Sequence, residues 1–197
     1  MVVSRDEQFQ LKRNALLREA AGAFAARGYH ATSLDDVASS LGVTKAALYH
    51  YVRSKQEILF ECHMRSMDLG DEALEYARAR GRNGFERVTT LARHYIELIT
   101  GEMGRMAVLS EYDALDDGSK AIIAARRDRW DRGMREMIAE GVADGSIRAV
   151  DPKLAVFYFM GAVNWMTRWY RPDGGSAGAE IASTFADLLG EGIRARD

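Results

Sequence analysis

Apolar residues recur at three- and four-residue spacing along most of the chain, the signature of helices with one buried face. Leu16, Leu17, Ala20 and Phe24 mark a helix over about residues 6–27, stopped by Gly28. Ser33 stands before Leu34-Asp35-Asp36-Val37-Ala38 and reads as the N-cap of a short helix ending at Leu41-Gly42. Thr44 caps a third helix, Lys45 to about Tyr51. Ser54 with Glu57 opens a fourth that runs to about Arg80, where Gly81 and Gly84 interrupt. Phe85, Val88, Ala92, Tyr95, Ile96 and Ile99 mark a fifth. Residues 101–118 read as irregular, with a short helix near Met103–Leu109. Ile123, Trp130, Met134, Met137, Ile138 and Val142 mark a long helix ending at Gly145. Asp151-Pro152 caps the next, which is apolar almost all round to about Tyr170. Ile181, Phe185, Leu188, Leu189 and Ile193 mark the last. No strand-like alternation interrupts the series, so the pattern predicts an all-α protein of about nine helices.

Composition narrows the class. Of 197 residues 47% are hydrophobic and 28% charged, the balance of a globular chain long enough to bury its own core. A single cysteine, Cys62, excludes an internal disulfide framework. His30, His50, His63 and His94 include no i, i+4 pair, so no metal site and no cofactor is expected. No nucleophile elbow, P-loop or paired-glycine fingerprint occurs, which argues against an enzyme and leaves no catalytic residue to name. Residues 1–8 lack the apolar stretch of a signal peptide, and the run Leu154 to Val163 is too short to span a bilayer. The expectation is a soluble cytoplasmic protein with no membrane partner. The net charge of −2 hides a basic front: residues 1–55 hold eight Lys/Arg against five Asp/Glu. That asymmetry suits a nucleic-acid-binding head on an acidic body.

Leu34–Val52 reads as a helix-turn-helix. Gly42 allows the turn, and Ala38 lets the two helices approach. Val37, Leu41, Val43, Leu48 and Tyr51 are expected to share a small core with the first helix. Thr44, Lys45, Ala47, Tyr49 and His50 then point outward, where hydroxyl, cationic and aromatic groups suit phosphates and base edges of a major groove. Thr32 and Ser33 flank this face, and Lys55 opens the next helix within reach of a phosphate. The string from Ala25 to Leu59 closely resembles the DNA-binding domain of the TetR family of bacterial repressors. Phe24, Gly28, Thr32, Val37, Ala38, Gly42, Val43, Leu48, Tyr49, Tyr51, Lys55 and Leu59 fall on that pattern, with Tyr51 where phenylalanine is commoner. The resemblance implies a homodimer on a double-stranded operator, paired through its last two helices and released when a small effector spreads the two heads.

Residues 1–55 are thus expected to be the DNA-binding domain and 56–197 the effector-binding and dimerisation domain. A helix apolar all round needs cover on every side, which its own core and a partner subunit supply together. The expected dimer seam is Phe157, Gly161, Trp169, Ile181, Phe185, Leu188 and Leu189. Met103, Met106, Met134 and Phe159 offer adaptable lining for an apolar effector. Asn164 and Arg168 share one face beside Trp165, and a polar pair there needs partners, either across a dimer or on an anionic ligand. The stretch Asn164 to Pro172 is similar to a TetR subgroup that senses CoA thioesters and represses fatty-acid or sterol breakdown, which implies an acyl-CoA effector. Tyr112 and Trp130 complete the candidate effector set. With Glu111 they also form a possible cage for a lipophilic cation, as in a multidrug-efflux regulator. A helical lipid carrier that does not bind DNA is the alternative of another class.

Overall fold

The computed structural model describes residues 4–101 and 111–195. The helix expected near Met103–Leu109, and with it Met103 and Met106, lies outside the described residues. Among those residues there are eight α-helices: α1 Arg5–Arg27, α2 Leu34–Ser40, α3 Lys45–Leu48, α4 Lys55–Arg80, α5 Gly84–Thr100, α6 Asp117–Ala143, α7 Pro152–Trp169 and α8 Gly178–Ile193. A single 3₁₀ turn, Tyr112–Ala114, precedes α6. No strand occurs among the described residues, only an isolated antiparallel bridge between Ile147 and Arg194.

Of the described residues, 4–66 and 111–122 form one compact unit, and 67–101 and 123–195 a second. In the first, α1 buries Leu16, Leu17, Ala20 and Phe24. Val37, Ala38, Leu48 and Val52 are buried in the same unit. Arg13 fastens α1 to α4 through Glu57 and Glu61, at 3.3 and 3.0 Å, and donates to the carbonyl of Tyr51. Val43, expected in this core, is 42% exposed, because its amide must reach back to the carbonyl of Ala38 and the turn carries its side chain outward.

The second unit is built on one core drawn from α4 to α8, with Leu91, Ile96, Met134, Ile138, Phe159, Val163 and Ala186 at its centre. The break expected at Gly81 and Gly84 separates α4 from α5, and Gly84 is also a contact point: a Cβ there would meet the backbone of Gly141 at 2.2 Å, so α5 and α6 touch backbone to backbone. Residues 116–118, read as irregular, start α6 early. The Asp116 carboxylate accepts from the Ser119 amide and hydroxyl, both at 2.8 Å, and this cap outweighs the glycine at 118.

Helix α7 divides into two sides. Val156, Phe159, Val163 and Met166 face the core of their own chain. Leu154, Phe157, Tyr158, Gly161, Trp165 and Trp169 lie on the opposite, solvent-facing side. The apolar character all round is therefore two interleaved stripes, one buried and one open in the single chain.

Candidate nucleic-acid interface

The α2–turn–α3 segment is fixed by its caps. The Ser33 hydroxyl accepts from the Asp36 amide at 3.1 Å, while the Asp36 carboxylate accepts from the Ser33 amide at 2.7 Å. Hydrogen bonds from the Ser33 side chain and backbone hold the Asp36 carboxyl below its ordinary pKa. Gly42 turns the chain at φ +65, the left-handed region that glycine enters most easily. The Thr44 hydroxyl accepts from the Ala47 amide at 3.2 Å and starts α3. Helix α3 stops at Leu48 rather than near Tyr51, and tighter bonds from His50 to Ala47 and from Tyr51 to Leu48 carry the chain onward. Leu48 is the anchor, fully buried, so the residues around it face out.

Ser33, Thr44, Lys45, Tyr49 and His50 are exposed, and Ala47 is half-buried. Hydroxyl, ammonium, phenol and imidazole groups thus share the outer side of one short element. The Lys45 ammonium pairs with Asp35 at 2.7 Å, which raises its pKa and keeps it charged. The Lys55 ammonium lies 4.1 Å from the centroid of the Tyr29 ring and donates to the carbonyl of His30 at 3.4 Å. Partial burial lowers its pKa, with the charge of Glu111 acting in the opposite sense. Tyr29 as the floor beneath Lys55 escaped the sequence reading; its place directly after the helix-ending Gly28 was the available signal. Thr32 departs from expectation: it is 1% exposed, and its hydroxyl donates to the carbonyl of Gly28 at 2.9 Å and lies 3.3 Å from that of Ala23. It closes the end of α1 and presents no side chain to solvent.

The remaining sequence-predicted residues divide between buried and open positions. Met134 and Phe159 are closed within the core of the second unit. Trp130 is 7% exposed, its indole N–H donates to the carbonyl of Gly70 at 3.1 Å, and its ring tilts against Tyr95. Trp130 is therefore not an open cage wall. Tyr112 sits in the first unit, its hydroxyl donating to the carbonyl of Lys120. Asn164, Trp165 and Arg168 lie together on the open stripe of α7. On that side are also Phe157, Gly161 and Trp169, with Leu188 exposed on α8 and Phe185 half-buried. Ile181 and Leu189, expected in a dimer seam, instead face the core of their own chain, because α8 turns its most apolar stripe onto α5. Among the described residues no three His, Cys, Asp or Glu gather as metal ligands, and burial pushes the Cys62 thiol up to about 12.

Residues 16–62 match the family described as "Bacterial regulatory proteins, tetR family", and residues 81–193 match "Tetracyclin repressor-like, C-terminal domain". The second match covers more than half of the chain. The chain belongs to the TetR family. It is similar to the HTH-type transcriptional repressor KstR2 of Mycolicibacterium smegmatis, 28% identical over 195 residues, 92% of this chain and 90% of that protein. It also resembles the TetR-family regulator PfmR of Thermus thermophilus, with a TM-score of 0.81 and 33% identity over 89% of this chain and 97% of that one. The structure of AibR in complex with isovaleryl coenzyme A and operator DNA matches with a TM-score of 0.77 and 32% identity, over 90% and 97% of the two chains.

As a TetR-family protein the chain is a DNA-binding transcriptional repressor and not an enzyme, and regulators of this type bind operator DNA and a ligand, typically as dimers. The family assignment also removes the lipid-carrier reading. No helix among the described residues is long and apolar enough to cross a membrane.

Proposed function

We propose that the protein is a cytoplasmic homodimeric repressor that reads a near-palindromic operator and is released from it by an acyl-CoA thioester, so controlling genes of lipid or sterol breakdown. Residues 1–55 act as the DNA-binding head and 56–197 as the effector and dimerisation domain. Ser33, Thr44, Lys45, Ala47, Tyr49, His50 and Lys55 meet the DNA, Thr44, Tyr49 and His50 toward base edges and the lysines toward phosphates. The observation that carries the reading is the outward face of α3, held by the buried Leu48 and the Thr44 cap. The open stripe of α7, with Leu188 of α8, is the surface through which two copies pair.

The effector class is supported by two observations. AibR, 32% identical, is described in complex with isovaleryl coenzyme A and operator DNA. Arg168 stands on the open stripe four residues from Asn164 and beside Trp165 and Trp169, where a guanidinium fork meets phosphate or thioester oxygens. Acyl chains add roughly 0.8 kcal/mol per buried CH₂. Release follows only from tighter binding to the spread-head state, so the leverage is the difference in affinity between states.

Acyl-CoA is therefore expected to dissolve the protein–DNA complex in a gel shift, with free CoA and free fatty acid acting weakly. Arg168→Ala is expected to keep the dimer mass and the DNA complex while needing about tenfold more acyl-CoA for release, the loss of one charge-assisted hydrogen-bonded pair. If acyl-CoA leaves the complex intact and a lipophilic cation dissolves it, the effector assignment fails. If Arg168→Ala unfolds the dimer, this arginine is a structural group.

A further inference from the structure

Residues 111–122 belong to the same compact unit as α1, α2 and α3, and the 111–115 turn brings a carboxylate to the end of α1, next to the residues that seat Lys55. Three contacts seat the 111–115 turn. The Gln56 side-chain amide donates to the carbonyl of Ala114 at 2.5 Å. Leu115 is buried. The Tyr112 ring meets His63 edge-on at 6.1 Å. Within this seated turn Glu111 adopts φ +74, the one non-glycine residue among those described with a positive φ. An L residue enters that region rarely, and it persists where the surroundings over-determine it.

The effect of this backbone conformation is to aim the Glu111 side chain at the end of α1. Its Oε1 lies 4.0 Å from where a Cβ on Gly28 would stand. Gly28 is followed directly by Tyr29 and His30, the two residues that hold the Lys55 ammonium by ring face and carbonyl. Lys55 and Glu111 close no ion pair within 4 Å, so the carboxylate acts on the ammonium at longer range, from the Gly28 end of the Gly28-Tyr29-His30 stretch that seats it. The desolvation and the opposing influence of Glu111 on Lys55 agree with that placement.

We propose that Glu111 is a positioning residue for DNA binding: its carboxylate stands where a phosphate approaches Lys55, so that the docked 111–115 turn holds operator affinity below what the head alone would give. This rests on the reading of Lys55 as a phosphate contact. The physical ground is the cost of bringing a phosphate to a cation already neighboured by a carboxylate, an interaction that salt screens. The turn is then a lever: any change that withdraws Glu111 strengthens the hold of Lys55 on DNA, and any that presses it closer weakens it.

The test uses the full-length protein and a duplex of about 30 base pairs, long enough for two half-sites, that the wild type enriches from a random library. Glu111→Gln removes the charge. Glu111→Asn removes it with the residue that best tolerates a left-handed backbone after glycine, so that a folding defect of the first variant does not decide the outcome. Asp113→Asn removes an exposed carboxylate from the same turn as a control for net charge. Both Glu111 variants are expected to tighten the complex by about threefold at low salt, the scale of a partly screened charge pair, with the gain fading as salt rises. Asp113→Asn is expected to change it less than half as much, and in a Lys55→Met background the Glu111 gain is expected to vanish. A gain equal to that of Asp113→Asn, no gain, or a gain that persists without Lys55 overturns the proposal. If the wild type enriches no DNA, or Lys55→Met binds as the wild type does, it is instead the underlying DNA-binding reading that fails.

Discussion

Phe157→Glu is expected to yield a folded monomer that binds the operator weaker by on the order of a thousandfold, the interval between specific and non-specific DNA complexes. In the single chain Phe157 is 53% exposed and lies between Leu154, Tyr158 and Gly161 on the open stripe of α7. A carboxylate there disturbs no monomer core. The guanidinium of Arg135 and the ammonium of Lys153 each lie 5.7 Å from the ring centroid, so the new charge finds cations within its own chain. In a dimer the same carboxylate is enclosed by a second apolar stripe, and a buried charge left without its full set of partners costs about 3–5 kcal/mol. One head on its own then reads only half a palindrome. Sedimentation gives the mass and fluorescence anisotropy the affinity. A dimer that persists at micromolar concentration with unchanged DNA affinity contradicts the assignment of this stripe.

Thr44→Ala is expected to weaken the specific complex by about thirtyfold, through two losses at one site. Helix α3 is four residues long, and the Thr44 hydroxyl caps its start by accepting from the Ala47 amide. Removing such a cap costs about 0.5–2 kcal/mol locally, which loosens the frame for Tyr49 and His50. The hydroxyl also lies on the exposed face, so its direct contact with DNA is lost as well. Thr44→Ser keeps the oxygen and is expected to restore most of the binding. Global stability should change little, because Leu48, Val37 and Val52 still close the head. A Thr44→Ala protein that binds like the wild type removes α3 from the interface.

Much of this molecule was legible in the sequence wherever a local signal decides the matter. Gly28, Ser33, Thr44 and Asp151-Pro152 each set a helix boundary through backbone chemistry that needs no partner, and all four stand at the ends expected of them. Asp116 stands two residues before Gly118, whose presence points to a break, yet its carboxylate caps α6. Where two surfaces compete for one residue, periodicity alone gave no answer. Thr32 and Ser33 are adjacent hydroxyl residues; only the fold decides that Thr32 turns inward to the carbonyl of Gly28 while Ser33 stays out. The same holds for α7 and α8. Phe159 and Phe157 are both apolar and two positions apart, yet one is core and the other open, and Ile181 and Leu189 go to the core while Leu188 does not. Spacing shows that two apolar faces exist but not which of them the chain covers itself. The left-handed backbone of Glu111 was beyond reach, since nothing local marks a glutamate for it.

Central to this function is that two copies of the chain read DNA together through α3. Selection of duplexes from a random library by the wild-type protein, with sequencing of what is retained, examines that directly. The predicted result is a near-palindrome whose half-site centres lie about 34–36 Å apart, or a multiple of that, bound by an even number of chains and lost with Thr44→Ala. No enrichment, or a site without two-fold symmetry held by one chain, would contradict it.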